Sequence, residues 1–173
     1  MPFWPFRRSR ADADAARLLA AVTAASRKAA FFGPGKVPDT LEGRFELMTL
    51  NAALALIRLR ADPGLAPLAQ AFTDQLFRQF DAGLREQGVG DTAVPKRMHR
   101  LAGAFYGRLE AYATAIGARD RAVLADALAR NALGDVAHSF APALADYALQ
   151  AWAGQAENPA DALLSEAGWP ALP

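Results

Sequence analysis

The chain has 173 residues, 53% of them hydrophobic, and is rich in alanine and leucine but poor in β-branched residues, which suits one domain of packed helices rather than a sheet. It contains no cysteine, which excludes a disulfide framework and a thiolate metal site. The formal net charge is only +1, yet residues 1–108 hold 16 Lys and Arg against 10 Asp and Glu while residues 109–173 hold 3 against 8, a split that points to a basic face for an acidic or nascent-chain partner and a solvated acidic end.

The first ten residues, MPFWPFRRSR, place Phe3, Trp4 and Phe6 before Arg7, Arg8 and Arg10. That order is the reverse of a signal peptide. This tail either folds back on the core or touches a membrane surface, with its aromatics at the headgroups and its arginines on anionic lipid. No run reaches the ~18 apolar residues that a membrane span needs. The expected location is therefore the cytoplasm, with peripheral contact at the inner membrane.

Residues 11–156 read as the helical domain and 157–173 as a short closing helix and tail. A first helix runs from about Ala11 to Phe32, where Pro34 and Pro38 stop it. The second starts near Thr40, a capping residue, with Glu42 and Glu46 in its early turns. It is apolar on most sides, with Arg44, Asn51 and Arg58 as a polar stripe, so it is expected at the centre with Asn51 buried and hydrogen-bonded. The third spans about Leu65 to Gln87, with Leu68, Phe72, Leu76, Phe80 and Leu84 as its apolar row.

The stretch GVGD follows. A phosphate loop would need a preceding strand, and Asp91 would repel phosphate. Gly88 and Gly90 instead allow positive φ, so that two helices fold back as a hairpin, with Val89 either plugging the core or protruding. A fourth helix, from about Pro95 to Ile116, is capped by Asp91 or Thr92 and faces the core with Met98, Leu101, Phe105, Leu109, Tyr112 and Ile116. Lys96 and Arg97 open it, and Arg97, Arg100 and Arg108 form a basic face near Tyr106, either a solvated stripe or a binding surface. Gly103 and Gly107 each cost about 1 kcal/mol against alanine in a helix. Their spacing implies close approach by another backbone, either the second helix or a client helix. Two more helices, about Arg119 to Leu133 and about Val136 to Ala153, and a short one from Pro159 to Ala167 complete an all-α bundle of six to seven helices.

Catalytic chemistry finds no footing. His99 and His138 read as surface residues. Carboxylates such as Asp74, Asp81 and Glu86 lack the Glu-x-x-His partners of di-metal bundles. No serine sits in a GxSxG context. The expectation is a binding protein with no enzyme activity, no metal, no cofactor and no specific nucleic-acid partner.

The segment FDAGLREQGVGDTAVPKRMHRLAGAFYGRLEAY, Phe80 to Tyr112, resembles the signature region of the ubiquinol–cytochrome c chaperone family, and GRFELMTLNAALALIRLR upstream is similar to it too. The likeness spans roughly Leu41 to Leu149. Mitochondrial members carry a targeting extension, so this chain resembles a bacterial relative. The resemblance implies assembly of the cytochrome bc1 complex. Its mitochondrial members hold newly made cytochrome b at the ribosome while haem is inserted, together with a small partner subunit. The matching positions are Arg85, Gly88, Val89, Asp91, Lys96, Met98, Tyr106, Gly107, Arg108 and Tyr112, with Arg97 and Arg100 added from the basic face. The competing reading is a helical scaffold at a membrane or ribosome surface with no cytochrome client.

Overall fold

The structure is a computed structural model that describes residues 9–172. The expected tail contacts Phe3, Trp4, Phe6, Arg7 and Arg8 lie outside the described residues. Six α-helices form an all-α domain: α1 (Arg10–Ser26), α2 (Leu41–Arg60), α3 (Ala66–Glu86), α4 (Val94–Gly117), α5 (Arg121–Leu128) and α6 (Ala141–Glu157).

Local chemistry sets the boundaries. Ser9 and Asp12 make a capping box at the start of α1. That helix ends at Ser26 rather than near Phe32, and a 3-10 turn over Ala29–Phe31 follows. Thr40 caps α2 by accepting from the Gly43 N–H at 3.2 Å. A Cβ on Gly43 would stand 2.0 Å from the Pro38 carbonyl oxygen, so the entering chain lies directly on that glycine. Asp120 caps α5, which continues into a π turn over Ala129–Leu133. α6 begins at Ala141, later than expected, with Pro142 in its first turn. The expected closing helix is two 3-10 turns, Ala160–Leu164 and Glu166–Gly168.

α2 is the central helix: Leu47 to Leu56 is an unbroken buried run. Asn51 is fully buried within it and fully engaged. Its Nδ2 donates to Ser26 Oγ and to the Leu47 carbonyl, both at 3.1 Å, and its Oδ1 accepts from Tyr147 Oη at 2.7 Å. One amide thereby joins α1, α2 and α6. The expected polar stripe is split three ways. Arg44 is exposed and pairs with Asp39 at 2.7 Å, while Arg58 Nε donates to the Gln155 carbonyl at 2.8 Å and pins α2 to the end of α6.

α3 is peripheral rather than central, because only Phe72 and Leu76 of its apolar row are buried. Residues four apart on a helix are offset by about 40°, so the row from Leu68 to Leu84 winds roughly 160° around the axis and leaves the core. Beyond Leu76 this helix carries half-buried and exposed residues only. α4 mirrors it: Val94 apart, its buried residues start at Phe105, and Met98 and Leu101 are half-buried. The end of α3, the loop and the first half of α4 therefore form a hairpin arm beside the core.

Candidate functional site

The arm begins at a glycine C-cap. The Val89 N–H reaches the Leu84 carbonyl at 3.2 Å and the Gly88 N–H reaches the Arg85 carbonyl at 2.9 Å, with Gly88 at φ +78°. This paired pattern needs a left-handed residue, which glycine adopts without strain. Gly90 does not take positive φ, contrary to expectation. Val89 is half-buried. Ala93 stands at the N-cap of α4 and no side chain caps it, so neither Asp91 nor Thr92 has the expected role. Asp91 is instead held by Arg85, whose Nε also binds Asp81 at 2.7 Å. Arg85 and Asp91 thus brace the loop against α3.

Lys96, Arg97 and Arg100 are exposed, and none makes an ion pair among the described residues. Arg108 does not join them. It turns inward and grips Glu46 on α2, with Nε to Oε2 and Nη2 to Oε1 both at 2.7 Å, while Nη1 donates to the Ala104 carbonyl at 3.2 Å. Eight residues separate Arg108 from Arg100, a rotation of about 80° that carries it off the outer face. Burial pushes the Glu46 carboxyl above the usual range, and Arg108 opposes that only in part. Tyr112, one turn further, is fully buried. Its Oη has no hydrogen-bond partner, Asn131 lying near it without bonding geometry, and burial raises its pKa. Arg108 and Tyr112 are accordingly internal residues that seat α4 on α2.

Between α2, α3 and α4 runs a row of rings. Phe45 lies 5.1 Å from Phe80, Phe80 lies 5.8 Å from Phe77, and Phe77 stacks on Tyr106 at 5.9 Å with 26° between planes. Phe105 closes the row beneath, 5.5 Å from Phe77. Phe45, Phe77 and Phe80 are half-buried and Tyr106 is 44% exposed. Asp74, Phe77, Arg78 and Asp81 line a shallow depression alongside.

Gly103 and Gly107 face outward next to Tyr106, and a Cβ on either would meet nothing within 4 Å. The expected close approach by the second helix is therefore absent, and the glycines leave an open trough on the arm. Close approach in this fold belongs to Gly43 and Gly168, where an added Cβ would come within 2.0 Å and 2.3 Å of backbone oxygens. Reading the sequence also missed Phe45, Phe77 and Glu46. Phe77 was hidden as the neighbour of Leu76, outside the four-residue row. The signal for Glu46 was a carboxylate in an apolar run, the same signal that marked Asn51.

His99 is exposed, whereas His138 is half-buried and accepts from the Phe140 N–H at 3.2 Å. No helix among the described residues is long and apolar enough to cross a membrane.

A family model described as ubiquinol–cytochrome C chaperone matches residues 35–168, most of the chain and the whole arm. The chain belongs to the ubiquinol–cytochrome c chaperone family. A structural comparison agrees: the crystal structure of the Cbp3 homolog from Brucella abortus is 40% identical, covers 92% of this chain and 90% of that chain, and superposes with a TM-score of 0.81. Among curated proteins nothing matches. Within this family frame, the arm with its half-buried phenylalanines, exposed Tyr106 and exposed cations is the candidate site.

Proposed function

We propose that this chain is an assembly chaperone of the cytochrome bc1 complex, which holds newly made cytochrome b against the outer face of the α3–α4 arm. The observation that carries the reading is the family match across residues 35–168, which includes the whole arm. The surface suits the task. A holding chaperone must bind exposed apolar helix and later let go, so it needs a modest apolar contact bordered by charge rather than a large dry interface. The rings of Phe45, Phe77, Phe80 and Tyr106 supply the apolar part, and the trough over Gly103 and Gly107 gives a client helix room to lie close. Holding a client requires no catalytic step, so the protein acts as a binding protein and not as an enzyme. Its place of work in this reading is the cytoplasmic face of the inner membrane, where the client is inserted.

The test is co-purification of newly made cytochrome b with tagged protein. Tyr106→Ala removes a partly exposed ring that leans on Phe77 and Phe105, and Gly107→Leu fills the trough from its exposed side. Each is expected to reduce captured client severalfold while still unfolding in one cooperative melt. Undiminished capture by both variants overturns the assignment of this surface.

A further inference from the structure

Three cations at the end of the arm are not used by the client surface proposed above. Lys96 and Arg100 stand one turn apart on α4, and Arg97 lies about 100° round from Lys96. All three are exposed. None of the acidic residues close by in sequence pairs with them: Asp91 and Asp81 are both held by Arg85, and Glu86 on α3 makes no ion pair among the described residues. Two apolar residues close to the cations in sequence are half-buried, Val89 in the loop and Met98 between Arg97 and Arg100. The start of α4 therefore presents three cations without ion-pair partners, beside a small apolar fringe.

We propose that this tip seats on an anionic phospholipid surface, with Lys96, Arg97 and Arg100 on the headgroups. Charge complementarity carries the inference, because clustered exposed cations next to a little apolar surface are what an anionic bilayer attracts. Nucleic acid is the poorer fit. The chain is near neutral overall, and the exposed ring nearest the cations, Tyr106, is stacked on Phe77 instead of being free for a base. No described helix can cross the bilayer, so contact through these residues is peripheral. Seating the tip there leaves the ring row and the glycine trough further along α4 open to a client emerging from the same membrane. The inference uses the proposed client only to favour a bilayer over other anionic partners, and its test contains no cytochrome.

The test is co-sedimentation of the full chain with vesicles of phosphatidylcholine alone and of phosphatidylcholine mixed with phosphatidylglycerol. The parent should pellet with the mixed vesicles and not the neutral ones, and added salt should release it. Each cation near an anionic surface contributes about fivefold to partitioning, so the triple variant K96Q/R97Q/R100Q should bind more than tenfold more weakly. A second full-length variant, R7Q/R8Q, measures what the N-terminal cations add. Equal binding to neutral vesicles, insensitivity of the parent to salt, undiminished binding by the triple variant, or a loss accounted for wholly by R7Q/R8Q each overturns the proposal. So does tighter binding of the parent to a short structured RNA than to the mixed vesicles at one salt concentration.

Discussion

Arg108 clamps Glu46 with two parallel hydrogen bonds of 2.7 Å, and both side chains are mostly shielded, at 19% and 11% exposure. This pair is the polar joint between α2 and α4. It lies at the root of the arm, one residue from Gly107 and one from Phe45. Removing one partner strands a buried charge. Arg108→Ala should therefore cost roughly 2–4 kcal/mol in urea unfolding. Replacing both partners by apolar residues, as in Glu46→Leu with Arg108→Met, should recover most of that loss. A single Arg108→Ala variant as stable as the parent would contradict the joint.

The same pair sets a pH signature. Burial raises the folded-state pKa of Glu46, with Arg108 pulling it back only partly. The folded chain thus keeps this proton to higher pH than the unfolded chain. The site's contribution is fully favourable below the usual carboxylate range and falls as pH rises through the window just above it. Glu46→Gln cannot titrate. Stability of the parent relative to Glu46→Gln should accordingly decline across that window in urea melts, and a relative gain there would contradict the direction.

The Asn51 amide joins three helices. Asn51→Ala leaves Tyr147 Oη and Ser26 Oγ short of a partner in a buried site, and should cost roughly 2–4 kcal/mol. Tyr147→Phe removes one arm of the network and should cost less, about 1–2 kcal/mol. A double-mutant cycle by chemical denaturation should show strong coupling between them; independent, additive losses would dismiss a shared network.

Gly88 and Gly107 make opposite predictions. Gly88→Ala forces an alanine to φ +78° and should cost about 1 kcal/mol. Gly107→Leu sits on an exposed helix face with open space above it and should gain up to about 1 kcal/mol. Thermal melts of the two variants should move in opposite directions.

The helical class, the centrality of α2 and the burial of Asn51 were legible in the sequence because each rests on local pattern. A polar residue inside an apolar run must find partners, whatever the rest of the fold does. The hairpin was legible too, since Gly88 ends one helix and Pro95 opens the next. Depth was not. A row spaced by four residues looks like one face, yet it drifts around the helix, so Phe80 and Leu84 leave the core that Phe72 and Leu76 enter. Arg108 was grouped with Arg100 for the same reason, although the rotation between them turns it toward Glu46. Glycine is silent in a different way. A missing side chain fits a close contact and an open trough equally, and only the neighbours separate Gly43 from Gly103 and Gly107.

The central claim is that the client lies on the outer face of the arm. Site-specific photocrosslinking tests it most directly, with a photoreactive side chain placed at Tyr106 in one protein and at exposed Val136, in the loop before α6, in another. The account predicts an adduct with newly made cytochrome b from position 106 and none from position 136. An adduct from position 136 with none from position 106 would contradict it.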